Sequence, residues 1–175
     1  MSYIELNRKF SQISSNSDSQ VTNSDYSLSR DSEGLLTWED LLAKYNRCIV
    51  LAEAGAGKTE EFKQQAKKLE KDDKLSFFIR IEDIDSDFIE SFEVGDRDRF
   101  EEWLTSPEKK AWFFLDSVDE ARLEDPRAFQ KAISKFARKI QPASKRCSIY
   151  ISSRPYSWRY QEDEKILKDN LIISD

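Results

Sequence analysis

The sequence predicts an α/β domain in which a mainly parallel sheet is covered by helices. Three observations carry this reading. Short, dense apolar runs alternate with helical patterns, a glycine-bearing turn joins one such run to an amphipathic segment, and a later run ends in Asp116. Alternation of this kind builds βαβ units.

Residues 1–34 read as a flexible lead-in, because positions 11–33 are rich in Ser, Asn and Asp and poor in apolar side chains. The globular part, 35–175, is predicted to begin at Leu35. Thr37 can cap a short helix that carries Trp38, Leu41, Leu42 and Tyr45 on one side. Cys48-Ile49-Val50-Leu51 is a compact apolar run, as a buried parallel strand requires. Phe62, Ala66 and Leu69 then recur at helical spacing over 60–71, and Phe77 to Ile81 reads as a second strand.

Phe100, Trp103 and Leu104 mark another helix, stopped near Ser106-Pro107. Ala111 to Leu115 is the third strand and the most apolar. In the next helix, Asp125 is predicted as the N-cap and Pro126 as the first helical residue. Phe129, Ala132, Ile133, Phe136, Ala137 and Ile140 share its apolar face. The opposite face, with Arg127, Lys131, Lys135 and Arg138, reads as a solvated stripe rather than a contact for phosphate backbones. Ser148 to Ser152 is the fourth strand.

Composition narrows the chemistry. A chain of 175 residues can bury one core of ordinary size, and its formal net charge of −6 argues against nucleic acid as a partner. There is no histidine, which removes histidine general bases, Ser–His and Cys–His pairs and histidine metal ligands. Cys48 and Cys147 each sit in an apolar run and read as buried free thiols of a reducing compartment. No stretch resembles a signal peptide or a membrane helix, so a cytoplasmic protein is expected. Chemistry is left to carboxylates, lysine, arginine and backbone amides.

Ala52-Glu53-Ala54-Gly55-Ala56-Gly57-Lys58-Thr59 fits G-x-x-x-x-G-K-[ST] with alanine in place of the first glycine. Two of the four glycines of the chain lie in this loop, where the absence of Cβ lets backbone amides turn inward around an anion. Lys58 would pair with the β- and γ-phosphates of a nucleotide, and Thr59 would offer its hydroxyl to Mg²⁺. The helix after the loop turns its N-terminal amides towards the phosphates. Ala52 falls where the strand ends, so a small side chain at negative φ is expected there.

Asp116, at the carboxyl end of the third strand, is the expected acid for the metal. Asp119 and Glu120 lie three and four residues later, and one of them would orient or deprotonate an attacking water, with Glu120 preferred. A second use of this acid group is to cap a neighbouring helix. Arg154 sits in Ser152-Ser153-Arg154-Pro155, at the end of the fourth strand. Two roles are open to it: stabilising charge on a terminal phosphate, or a structural pair with Asp116 or Glu120.

Leu51 to Thr59, Phe113 to Glu120 and Ile151 to Pro155 together resemble the NACHT-like branch of the STAND P-loop NTPases, over about residues 35–159. These are signalling ATPases, many of them large prokaryotic proteins linked to defence against phages. The resemblance implies a three-layer P-loop sandwich with sheet order 5-1-4-3-2. It implies that the loop from Glu53 to Thr59 binds ATP with Mg²⁺, that Asp116 is the Walker B acid, that Glu120 is the catalytic acid and that Arg154 is the sensor. It also makes Cys48 and Cys147 neighbours on adjacent strands.

Members of that branch continue into a fifth strand, a lid, a winged helix and repeats, whereas Leu171-Ile172-Ile173 only begins such a strand. An incomplete sheet is therefore expected, with self-association or downstream domains as partners besides the nucleotide. The function expected is a slowly hydrolysing Mg-ATP switch, and the alternative is a nucleotide-binding remnant or regulatory domain without turnover. No guanine-reading Asn-Lys-x-Asp occurs, and no acceptor lid suggests a small-molecule kinase.

Overall fold

The computed structural model describes residues 8–12, 35–85, 88, 91–123 and 125–171. The chain divides into two compact units, Met1–Tyr45 and Asn46–Asp175. In the first, helix α1 (Trp38–Lys44) starts at Thr37, whose side chain and Asp40 form a reciprocal capping box. Phe10 belongs to the expected lead-in, yet it exchanges both backbone hydrogen bonds with Leu36 at 2.8 Å. Its ring meets Trp38 edge-on at 5.0 Å. The remainder of the expected lead-in, 1–7 and 13–34, lies outside the described residues.

The second unit is α/β. Its strands are β1 (Arg47–Leu51), β2 (Leu75–Arg80), β3 (Phe92–Val94), β4 (Ala111–Asp116) and β5 (Cys147–Ser153), in the order β1-β5-β4-β2-β3. The pairs β1–β5, β5–β4 and β4–β2 are parallel. This order departs from 5-1-4-3-2, because an unforeseen antiparallel strand, β3, occupies the edge beside β2. Three residues are too few to show an alternating pattern. Gly95 allows the close approach just after β3: at φ +84°, a Cβ there would stand 2.4 Å from Phe77 Cδ1 and 2.7 Å from the Ser76 carbonyl oxygen.

No strand is described beyond β1, whose described partner is β5 alone. Leu171, where a fifth strand was expected to start, is instead the buried C-cap residue of α6 (Tyr160–Asn170), and 172–175 lie outside the described residues.

Helix α2 (Lys58–Lys71) comes after β1 and lies on one face of the sheet, with Phe62 edge-on to Phe114 at 5.6 Å. Ser76 Oγ donates to the Ala66 carbonyl at 2.6 Å on the same face. The helix ends in a Schellman motif, in which Asp73 takes the left-handed position at φ 57° and Lys74 N–H reaches the Leu69 carbonyl at 3.0 Å. The opposite face of the sheet is covered by α3 (Arg97–Thr105) and α5 (Ala128–Ile140). There Phe77 stacks on Phe113 at 5.0 Å, while Phe100, Trp103 and Phe136 close around Phe113. This aromatic cluster and the buried faces of β4 and β5 form the core.

The start of α5 differs from the expectation. Asp125 Oδ1 accepts the Arg127 N–H at 2.8 Å, two residues on, so Asp125 and Pro126 close a turn and the helix begins at Ala128. The two cysteines lie on adjacent strands but out of register, since Cys48 faces Tyr150. Both thiols are free, Cys147 is buried, and burial pushes the half-buried Cys48 up to about 11. Among the described residues, no helix is long and apolar enough to cross a membrane.

Candidate functional site

Parallel strands all point their carboxyl ends the same way, so the segments that leave β1, β4 and β5 emerge together along one edge of the sheet. β1 delivers the loop 52–57. Ala52 keeps negative φ, and its N–H donates to the Ser153 carbonyl at 3.1 Å, which extends the β1–β5 ladder into the loop. Gly55 and Gly57 both take left-handed backbone, at φ 73° and 77°. Gly57 is the N-cap residue of α2, so the helix starts at Lys58 directly after the turn.

Lys58 Nζ donates to the Ala52 carbonyl at 2.9 Å and the Glu53 carbonyl at 3.3 Å, bracing the loop from within. An ammonium has three donors, so one remains for another acceptor. Glu60 and Glu61 in the first turn of α2 and Lys68 and Lys71 near its end match the helix dipole. Glu53, Ala54 and Gly55 are exposed at the rim of the loop, while Ala56, Lys58 and Thr59 are half-buried.

β4 delivers Asp116, 1% exposed. Its Oδ1 accepts a hydrogen bond from Ser152 Oγ on β5. Its Oδ2 is buried and has no hydrogen-bond partner. An unsatisfied carboxylate oxygen in the interior is costly. Ser152 also accepts the Ser117 N–H at 2.9 Å, which ties together the turn after β4. Ser117 takes left-handed backbone at φ 66°, uncommon for a residue with a side chain. β5 thus separates the loop strand from the acid strand by two strand spacings, about 9–10 Å.

The turn leads into α4 (Val118–Ala121), which carries the other two acids. Asp119 turns inward: its Oδ2 lies 2.6 Å from Arg154 Nε, and its Oδ1 accepts the Arg154 backbone N–H at 3.3 Å. Arg154 pairs therefore with Asp119, not with Asp116 or Glu120 as the structural alternative had it. Its Nη1 donates to the Tyr156 hydroxyl at 2.6 Å. The Tyr156 contact first, then Asp119, pushes the guanidinium further above its ordinary range and keeps it charged. Glu120 is half-buried, and its side chain makes no hydrogen bond or ion pair among the described residues.

Neighbouring charges tune this edge. Burial first, then the charges of Glu120 and Asp83, push the Glu82 carboxyl above its usual range. Arg80, opposite Asp116 in the sheet register, is drawn aside by Glu93 at 2.8 Å. Behind the site, Arg122 holds the fully buried Asp163 of α6, which clamps the segment after β4 to the segment after β5.

All the residues expected to carry chemistry thus lie at one end of the sheet. The expected set did not contain Ser152, whose hydroxyl donates to the Asp116 carboxylate, Ser117, whose N–H holds that hydroxyl, or Tyr156, which meets Arg154. The signal for Ser152 was its place at the carboxyl end of the fourth strand, two residues before Arg154.

Asp116 Oδ2 and the Thr59 hydroxyl suit a magnesium ion, which takes one or two protein oxygens and fills its remaining positions with phosphate and water. Among the described residues, no cluster of three or more acidic or cysteine side chains forms a metal cage on its own. No family model matches this sequence, and a search of curated proteins finds no match.

Proposed function

We propose that this chain is the Mg-ATP-binding, slowly hydrolysing switch module of a NACHT-like P-loop NTPase with a signalling or anti-phage role. The single observation that carries the reading is the pairing of two features at one sheet edge. One is a left-handed glycine turn braced by Lys58 at the head of α2. The other is a buried carboxylate oxygen of Asp116 without a partner, two strands away.

In this reading the amides of 53–59 and the remaining Lys58 donor hold the phosphates. Thr59 and Asp116 hold magnesium, which neutralises phosphate charge when bound. Glu120, the acid left without a partner, receives a proton from the water that attacks the terminal phosphorus, and the diphosphate oxygen leaves. Arg154 faces the charge that develops on the transferred group. Adenine is preferred because the sequence lacks the guanine-reading motif.

The test is a titration of wild type and Lys58→Ala with a fluorescent ATP analogue and Mg²⁺. A charge-assisted hydrogen bond contributes about 1.5–3 kcal/mol, so affinity should fall by about ten-fold or more in the variant. Equal affinities would sink the assignment.

A further inference from the structure

Asp119 and Arg154 form an ion pair whose two ends see different surroundings. The carboxylate side chain is 7% exposed, while the guanidinium side chain is 31% exposed. The carboxylate is therefore the covered partner and the guanidinium the more open one, at the end of β5, the strand that lies between β1 and β4. Asp119 meets Arg154 twice, by a hydrogen bond from the backbone N–H and by an ion pair at Nε, whose N–H is not aligned for a hydrogen bond. Tyr156 adds a third hold through Nη1, with its ring centroid 5.9 Å from the guanidinium carbon. Arginine carries five N–H donors, and Nη2 makes no hydrogen bond among the described residues.

A long cation left to itself loses rotamer freedom when it meets an anion, whereas one already clamped loses little. Both Asp119 oxygens are occupied in this clamp, which leaves proton transfer to Glu120.

We propose that Asp119 is the positioning residue that presents the Nη2 edge of Arg154 to the terminal phosphate of a nucleoside triphosphate, with Tyr156 as the second clamp. The pair then discriminates triphosphate from diphosphate. The inference rests on the nucleotide reading above, and deepens it by giving Asp119 a role other than base.

The experiment measures ATP and ADP affinity with Mg²⁺ for the full chain as wild type, Asp119→Asn, Arg154→Ala and the double variant. Wild type should prefer ATP by about ten-fold or more, the worth of one charge-assisted hydrogen bond. All three variants should bring the two affinities within about two-fold, by losing ATP affinity while ADP affinity stays. The double variant should be no worse than Arg154→Ala, because the two residues act as one unit.

An Asp119→Asn protein that keeps the wild-type preference but loses turnover would identify Asp119 as a base and overturn the inference. An equal fall for ATP and ADP would identify a structural role only and overturn it as well. Should Asp119→Asn fail to fold, Arg154→Lys keeps the charge but loses Nε, and a retained preference there overturns the proposal. Wild type binding both nucleotides equally overturns this inference alone; wild type binding neither overturns the nucleotide reading and the inference with it.

Discussion

Replacing Asp163 with Ala is expected to remove about 3–5 kcal/mol of stability, because the change strands a buried arginine. The carboxylate is fully buried and receives both Arg122 nitrogens, Nη1 at 3.1 Å and Nη2 closer still. It also accepts the Arg159 N–H at 2.8 Å, satisfying a donor at the start of α6. Arg122 keeps only the Ser157 carbonyl at 2.6 Å and the Phe129 face at 5.1 Å once the acid is gone. Its side chain is 11% exposed, so water recovers little of the loss.

For a chain of this size the midpoint of thermal unfolding should fall by about 6–20 °C. Urea unfolding of wild type, Asp163→Ala, Arg122→Ala and the double variant measures the effect, and the double variant should cost little more than either single change. Asp163→Asn, which keeps an acceptor, should lose less and remain folded. A loss below about 1 kcal/mol for Asp163→Ala, the worth of an exposed ion pair, would refute the reasoning. It would mean that the segments after β4 and β5 are not held by this clamp.

Glu120→Gln should keep ATP affinity while turnover falls by about 10²–10⁴, the usual worth of a general base; single-turnover hydrolysis checks it, and an unchanged rate would remove Glu120 from the chemistry. Gly95→Ala should cost about 3 kcal/mol in urea unfolding, because its Cβ meets Phe77 and the Ser76 carbonyl at positive φ. Gly55→Ala, also at positive φ but with nothing within 4 Å of the added carbon, should cost only about 1–2 kcal/mol. Glu93 is held below its ordinary value of 4.5, first by Lys63 and then by Arg80. Its unfolded form takes up a proton before its folded form does, so its stabilising effect is complete above that value and is lost as pH falls through the folded one. Thermal unfolding midpoints of wild type and Glu93→Gln should therefore converge as pH drops from neutrality to well below 4.5.

The α/β class was legible because burial imposes a period on each strand and helix, and four apolar runs alternating with helical faces leave few arrangements. The loop 52–59 was legible because glycines before a Lys-Thr pair are a local requirement of the backbone. Strand β3 was not, since three residues carry no period, and its place depends on Gly95 fitting against Phe77 across the sheet. The start of α5 was misplaced because one aspartate can cap a helix or close an Asx turn, and the local residues permit both.

By itself the sequence determined the candidate residues, Glu53 to Thr59, Asp116, Asp119, Glu120 and Arg154, and the strand ends that carry most of them. Which acid holds Arg154, which acid is left without a partner, and which Asp116 oxygen is orphaned were decided only by tertiary structure. The reason is that adjacent acids such as Asp119 and Glu120 are equivalent along the chain, and packing alone turns one of them inward. That inward turn depends on β5 lying between β1 and β4, which brings Ser152 and Arg154 against residues more than thirty positions earlier.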